Sequence, residues 1–313
     1  MSRTISGYIC ALLAVVVWSG NFVAARALAP LIPPWQLNFW RWVVALFALL
    51  PFAASHLRRD WPALRRHWRY LLLMGILGVT LMNTLIYKAG QSTESLNMAL
   101  LVPTAPVMIL LLSRVLYGEP ITRRRLAGLG LVLVGVVILV SRGDWQRLSG
   151  LAFNSGDFWA IGGAACFGLY SLFTRSRPPE ISAVSYNAAT FCLGLAASLP
   201  FTTAEALFLP LPRISPLLAG GILYVGLGCS LLAFQWWVAA VDSIGPVRAG
   251  IVYYSLPVFA AAESVLLLGE RIVPAQLAGG FLVVVGILAA TLVLPRGAAA
   301  GESICAKRPK NSV

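Results

Sequence analysis

The second half of this chain repeats its first half. A stretch that begins at Pro106 recurs at Pro257, 151 residues later, and identical residues meet at this shift as far as Gly135 and Gly286. Both copies consist of apolar runs long enough to span a membrane. Duplicated hydrophobic units are the construction of many secondary transporters, so the repeat limits the fold to two copies of one membrane unit.

The composition excludes an ordinary soluble domain. Of 313 residues, 59% are hydrophobic and 11% are charged, whereas soluble domains carry roughly 25% charged residues. The net charge of +13 could indicate nucleic-acid binding, but the Lys and Arg residues lie in short gaps between apolar runs. That distribution is typical of membrane topology, so we expect a lipid bilayer around the chain and no nucleic-acid partner.

Runs of about 20 apolar residues, each long enough to cross a bilayer, recur along the whole chain. The first run could be a signal peptide ending near Ala29, but it is longer than a signal peptide requires, so we assign it as a helix. The sequence therefore predicts an all-α polytopic membrane protein. Its ten transmembrane helices are expected at about residues 7–29, 34–52, 70–90, 96–118, 124–141, 157–174, 182–200, 215–240, 247–268 and 274–294.

The basic residues predict the orientation. With a cytoplasmic N-terminus, seventeen Lys and Arg residues fall in cytoplasmic segments, six fall in outer segments, and Arg41 lies within a span. This bias places both termini in the cytoplasm. Each half has five spans, an odd number, so the second half enters the membrane upside down. We expect inverted five-helix repeats at residues 1–143 and 156–295, followed by a basic cytoplasmic tail at 296–313.

Two charged residues inside the spans are candidates for function. Arg41 lies ~10 Å and Glu263 ~8 Å below the outer ends of their helices at helical rise. An ionised group at this depth costs about 3 kcal/mol, so each needs a partner or water. They could form a structural pair or snorkel partly outward, or they could serve as a solute or proton site. Glu263 has no acidic counterpart in the first half, where Leu112 stands.

Two repeat-equivalent prolines, Pro106 and Pro257, predict helix bends. Each removes one backbone donor and is expected to free a carbonyl one turn earlier, that of Val102 or Tyr253. The alternatives are a static kink and a matched pair of bends around a central cavity. By contrast, the glycines at seven-residue spacing in the fifth and tenth spans indicate close helix packing.

Aromatic and amide side chains inside the spans predict a solute pocket. Buried amides need hydrogen-bond partners, and amides grouped with aromatic rings would make an amphipathic wall. The predicted wall consists of Trp18, Asn21, Asn83, Tyr87, Tyr170, Gln235 and Tyr253.

Several kinds of chemistry lack their sequence signals. The chain has no Walker-type glycine loop for an ATP-driven pump and no HExxH or GxSxG motif for a membrane enzyme. Its five cysteines show no paired spacing, and both histidines lie in one basic loop. We therefore expect no enzymatic activity, no cofactor and no metal site.

The residues resemble a known family, the EamA-domain branch of the drug/metabolite transporter superfamily. The WSGNF segment that begins at Trp18, Arg41, and the two blocks around Pro106 and Pro257 carry this resemblance over about residues 5–295. The second half departs from it, since FGLYS replaces WSGNF and no arginine corresponds to Arg41. The resemblance implies an inner-membrane carrier, usually an exporter of amino acids or other small metabolites, with a cavity between the repeats.

The leading hypothesis is a secondary transporter that exports amino acids or related amphipathic solutes by alternating access. Alternatives are drug efflux or uptake on the same fold and, from a different class, a non-transporting scaffold or receptor. The scarcity of charges in the spans favours zwitterionic or neutral solutes over phosphorylated ones. The solute, the direction, proton coupling and a homodimer stay open.

Overall fold

The computed structural model describes residues 3–92, 101–144, 146, 148, 155–209, 212–268 and 273–291. The predicted tail at 296–313 lies outside these ranges. The ten long helices in the described part of the chain are α1 Arg3–Leu28, α2 Pro34–Arg66, α3 Trp68–Ala89, α4 Val102–Thr104 with Ala105–Tyr117, α5 Arg123–Ser141, α6 Ser155–Thr174, α7 Ala183–Phe208, α8 Pro216–Ile244, α9 Pro246–Tyr253 with Leu256–Leu268, and α10 Pro274–Thr291. Within these ranges, six helices are long and apolar enough to cross a membrane by length and composition, and two shorter ones are also apolar.

Helix α2 is longer than the sequence pattern predicts. The expected span ended near residue 52, but the helix runs from Pro34 to Arg66 and contains Pro51 and Pro62. Its second part keeps one buried face, which includes Asp60. The average hydrophobicity of this amphipathic part is low, which is why a search for continuous apolar runs misses it.

The helices pack in reciprocal pairs, as expected of two equivalent units. Helix α1 packs on α8 and α9, and its counterpart α6 packs on α3 and α4. The remaining large contacts join equivalent helices, α2 with α7 and α5 with α10. The largest interfaces inside the bundle therefore join one repeat to the other, and the core is shared between them.

Carboxylates cap the starts of α2 and α7 reciprocally. Asp60, near the end of α2, accepts a hydrogen bond from the backbone N–H of Ser182 at the start of α7 (2.9 Å). Glu205, near the end of α7, accepts one from the backbone N–H of Gln36 at the start of α2 (3.0 Å). A carboxylate suits these positions because the first N–H groups of a helix lack partners within it. The two caps require α2 and α7 to be antiparallel, so the repeats are inverted.

Both repeats contain a π-helical segment in their third helix, Ile76–Leu81 in α3 and Tyr224–Leu232 in α8. A glycine at each segment allows close approach. A Cβ on Gly75 would lie 2.7 Å from the Thr190 carbonyl of α7, and one on Gly226 would lie 3.0 Å from the Arg41 carbonyl of α2. The wider turn of a π segment changes the direction of nearby side chains, which often marks a functional region.

The close helix packing predicted for the glycines of α5 and α10 is confirmed, and the structure shows that these two helices pack on each other. A Cβ added to Gly135 would lie 2.7 Å from the Gly279 carbonyl, and one added to Gly286 would lie 2.7 Å from the Gly128 carbonyl. No side chain fits between these backbones, so the two helices are in direct contact.

Irregular segments precede both repeat-equivalent prolines. A 3₁₀ turn, Val102–Thr104, comes before Pro106, and a turn separates the two parts of α9 before Pro257. The prediction that Pro106 leaves the Val102 carbonyl free is wrong, because the Ala105 backbone N–H donates to it. The shorter-range 3₁₀ hydrogen bond satisfies the carbonyl that an α-helix would have left unpaired.

Candidate solute-binding site

Five aromatic side chains meet in the centre of the bundle, on α1, α6, α8 and α9. This aromatic cluster consists of Trp18, Phe167, Phe234, Trp237 and Tyr253, all of them buried. The Trp18 ring meets those of Phe167 and Phe234 edge-on at centroid distances of 5.6 Å. Phe167 and Tyr253 are 4.9 Å apart. These separations are typical of favourable aromatic pairs.

Hydrogen bonds fix the orientation of both indoles. Trp18 Nε1 donates to the Cys229 carbonyl at 2.8 Å, within the π segment of α8. Trp237 Nε1 donates to Ser171 Oγ at 3.1 Å. The cluster therefore has defined ring orientations, as well as a large apolar surface, because each indole N–H is satisfied in one geometry.

A chain of polar groups lies beside the aromatic cluster. Arg41 Nε donates to Ser230 Oγ at 2.6 Å, and its Nη1 donates to the Tyr87 hydroxyl. The Tyr87 hydroxyl in turn donates to Asn21 Oδ1 at 3.3 Å. Because Ser230 follows Cys229 and Asn21 lies one turn from Trp18, this polar chain forms one edge of the aromatic cluster.

The charge of Arg41 has no acidic partner within the described residues. Its side chain is buried (1% exposed), and no carboxylate lies within ion-pair distance of it. The rings of Trp42 and Tyr87 face the guanidinium at 5.5 and 5.9 Å. Hydroxyls and rings stabilise a cation only partly, so this positive charge is incompletely compensated.

Glu263 forms a separate site on α9. Its Oε1 accepts a hydrogen bond from Ser19 Oγ at 2.7 Å, while its Oε2 is buried and has no partner among the residues that the structure describes. The predicted alternative of a structural Arg41–Glu263 pair is therefore wrong. Depth alone suggested that pairing, but Arg41 is directed from α2 toward α8, whereas Glu263 is directed toward α1.

The structure brings four of the seven predicted pocket residues into the two groups just described. Trp18 and Tyr253 belong to the aromatic cluster, and Asn21 and Tyr87 belong to the polar chain. Tyr170 adjoins the cluster, with its ring 5.6 Å from that of Phe234.

The other two predicted residues lie elsewhere. Asn83 is buried on α3, and its Nδ2 has no hydrogen-bond partner within the described ranges. Gln235 accepts a hydrogen bond from Asn187 Nδ2 at 2.7 Å, on the side of α8 that faces α7. The structure therefore does not bring Gln235 to the cluster.

The sequence prediction missed Phe167, Phe234 and Trp237. A phenylalanine in an apolar span resembles any packing residue, and no polar group distinguishes it. One signal could have identified Phe167, which occupies the repeat position of Trp18 where FGLYS replaces WSGNF. These two rings, one from each repeat, meet at the centre of the bundle.

A charged cavity of about 400 Å³ opens at the end of the bundle where α1 begins. Among the residues that line this vestibule are Glu119, Arg125, Arg175, Asp242 and Arg248. Arg175 pairs with Glu119. Burial raises the pKa of Glu119, but hydrogen bonds from Arg175 and Ser113 and the charge of Arg175 lower it more, so the pKa lies below its usual value.

In the described ranges, no group of three or more His, Cys, Asp or Glu residues could hold a metal ion.

Comparison with known proteins identifies the family. The model of the EamA-like transporter family matches twice, at residues 5–141 and 154–292. A protein of Salmonella typhimurium named probable amino-acid metabolite efflux pump is 27% identical over 287 residues, covering 88% of this chain and 92% of its own. A probable terminal-alkyne amino-acid exporter of Streptantibioticus cattleyicolor is 26% identical over 278 residues, covering 88% and 90%.

A third relative, an uncharacterized transporter of Archaeoglobus fulgidus, is 24% identical over 279 residues and covers 89% of this chain and 95% of its own. A solved crystal structure shares the fold with a TM-score of 0.75 and 21% identity, covering 91% of this chain and 96% of that one. Together with the two five-helix repeats, the double match to the family model is decisive. The chain is a multi-pass membrane protein that belongs to the EamA-like transporter family.

Proposed function

We propose that this transporter exports amino acids or closely related amphipathic solutes by alternating access, binding them between the aromatic cluster and the polar chain. The observation that carries the proposal is the buried guanidinium of Arg41 beside five aromatic rings, with no carboxylate from the described residues within ion-pair distance. A solute carboxylate can supply the missing negative charge through two parallel hydrogen bonds to the guanidinium.

The aromatic cluster complements the rest of an amino acid. Rings such as those of Trp18 and Tyr253 attract an ammonium group over their faces and an apolar side chain along their edges. The names of the Salmonella and Streptantibioticus relatives support this solute class, since one refers to amino-acid metabolite efflux and the other to terminal-alkyne amino-acid export.

The closed aromatic cluster supports alternating access. Its rings are buried, while the vestibule opens at one end of the bundle. Release of a solute on either side then requires the inverted repeats to move about the cluster, which separates rings contributed by α1 and α6.

Glu263 is the proposed proton site. An ionised carboxylate only accepts hydrogen bonds, and no donor in the described part of the chain satisfies Oε2. A proton on Oε2 removes the negative charge and leaves the Ser19 hydrogen bond to Oε1 intact. Because Ser19 is next to Trp18, proton loss at Glu263 can alter the position of the cluster.

The proposed location is the inner membrane with both termini in the cytoplasm, which places the vestibule on the cytoplasmic side. Single cysteines introduced at Arg65 and Arg147 test this orientation with a membrane-impermeant thiol reagent on intact cells. We expect labelling at position 147 only. Equal labelling of both positions would refute the topology.

Counterflow in proteoliposomes tests the function. We expect labelled amino acids to exchange, and the matching decarboxylated amines to fail to compete, because they lack the group that Arg41 binds. Trp237→Ala should abolish exchange, whereas Trp40→Ala, which changes an indole that is 46% exposed, should not. Exchange of cationic drugs without amino acids favours the drug-efflux alternative, and absence of any flux favours the scaffold alternative.

A further inference from the structure

A second cavity of about 570 Å³ lies between α1, α9 and α10. Its walls are mainly apolar, with Leu12 from α1, Phe259 from α9 and Leu288 from α10. Leu12 and Leu288 are 40% and 47% exposed, so the groove is open on the outside of the bundle. In a protein surrounded by bilayer, the outside of the bundle at these helices faces lipid.

Arg248 connects this groove with the vestibule, since it lines both cavities. Within the described residues its guanidinium pairs with no carboxylate. The vestibule carboxylates already have other partners: Glu119 pairs with Arg175, and Asp242 pairs with Arg177 at 2.6 Å. At one end of an apolar groove there is therefore a positive charge that no carboxylate of the described residues pairs with.

We propose that this groove binds one anionic phospholipid, with an acyl chain between α1, α9 and α10 and the phosphate on Arg248. This site goes beyond the proposed transport function and lies apart from the aromatic cluster. Charge complementarity selects the headgroup, because a phosphate accepts hydrogen bonds from a guanidinium in a fixed geometry. The groove selects the acyl chain, because each buried methylene adds favourable apolar contact.

The bilayer supplies this occupant directly. The groove begins near Thr4 and Tyr8 at the start of α1, so its charged end lies at the membrane surface and its apolar end points into the membrane. This polarity matches a phospholipid standing in the leaflet at the N-terminal end of the bundle. A soluble anion would satisfy Arg248 but would leave the apolar walls without an occupant.

Native mass spectrometry of the delipidated full-length protein tests the proposal. Dioleoyl phosphatidylglycerol should bind about fivefold more tightly than dioleoyl phosphatidylcholine, the effect expected for one arginine near an anionic lipid. Arg248→Gln should reduce this ratio to about one, whereas Arg213→Gln, at an exposed position away from the groove, should leave the ratio unchanged. Equal binding of the two lipids by the unmodified protein overturns the proposal, as does a ratio that Arg248→Gln leaves intact.

The apolar part of the groove has its own test. Val284→Trp fills the groove from a position that is 45% exposed, so the variant should fold and should bind both lipids about tenfold more weakly. Val134→Trp, at a position that is 53% exposed on α5, is the matched control and should bind normally. If Val284→Trp elutes as an aggregate, Leu288→Trp replaces it.

Free glycerol phosphate separates headgroup recognition from lipid recognition. It should not displace the bound lipid, and displacement at millimolar concentration would show that the groove contributes nothing. Because these measurements involve no transport, they are independent of the proposed function.

Discussion

The two repeats agree in how they pack and differ in the chemistry that they carry. The π segments, the close glycines and the reciprocal carboxylate caps occur in both. Arg41 and Glu263 occur once each, one in either repeat, and Trp18 in the first repeat faces Phe167 in the second. In the proposed mechanism, symmetric packing lets the inverted halves exchange conformations at similar energy, while the solute and the proton each need only one site.

The largest expected effect is a loss of folded protein when the close packing shared by the two repeats is disrupted. Gly279→Leu should prevent folding, because a Cβ there would lie 2.6 Å from the Leu139 backbone nitrogen, and overpacking of this kind costs about 3 kcal/mol. Gly130→Leu is the matched control on α5, since nothing lies within 4 Å of an added Cβ. Folded yield by size-exclusion chromatography measures both, and equal yields would show that the α5–α10 contact is dispensable.

The second largest effect concerns Arg41, which has no equivalent in the second repeat. Arg41→Met should raise the KM for amino-acid exchange about 100-fold, since the lost pairing with a carboxylate is worth about 3 kcal/mol. Arg41→Lys should recover part of the affinity, because it keeps the charge but loses the planar fork. Cys192→Ser, at the exposed position 151 residues after Arg41, should leave KM unchanged. An unchanged KM in Arg41→Met would remove the carboxylate site.

Glu263 tests the same difference between the repeats, because the first repeat has Leu112 at the equivalent position. A pH difference of about one unit can drive about tenfold accumulation through a coupled proton. Glu263→Gln should lose this accumulation but retain exchange of solute down its gradient, because the amide keeps the Ser19 hydrogen bond. Folded yield should stay normal, since Arg41 does not depend on Glu263. Normal pH-driven accumulation in the variant would exclude Glu263 as the proton site.

The smallest effect concerns Glu119, whose repeat counterpart Glu270 lies outside the described residues. The folded state lowers the pKa of Glu119, so its pair with Arg175 stabilises the protein above the usual carboxyl range. That stabilisation is lost as the pH falls through the lowered pKa. Glu119→Gln should cost about 0.5 kcal/mol at neutral pH and nothing in acid.

Thermal unfolding at several pH values, with a double-mutant cycle that adds Arg175→Gln, measures this coupling. A coupling energy that stays constant from neutral to acid pH would contradict the assignment of the ion pair to this carboxylate.

The sequence predicted the elements of the fold better than it predicted their ends. Runs of about 20 apolar residues mark spans reliably because the bilayer imposes that length. The second part of α2 was missed because burial of one helix face, with Asp60 on it, depends on a neighbouring helix rather than on composition.

The candidate site was predictable where a polar group needs a partner. Asn21 and Tyr87 were identified for that reason, and they share a hydrogen bond. Gln235 met the same criterion, but its partner Asn187 lies on a different helix face. A need for a partner can be read from one residue, whereas the identity of the partner depends on how ten helices are arranged.

The sequence by itself determined the duplication, the number of spans and the membrane setting, because these follow from periodic hydrophobicity and charge along one dimension. Only the tertiary structure decided that Arg41 contacts Ser230 and Tyr87 rather than Glu263, and that Phe167, Phe234 and Trp237 surround Trp18. Residues at equal depth in a membrane can face any direction around their helix axes. The packing of neighbouring helices selects that direction, and with it the groups that a solute can meet.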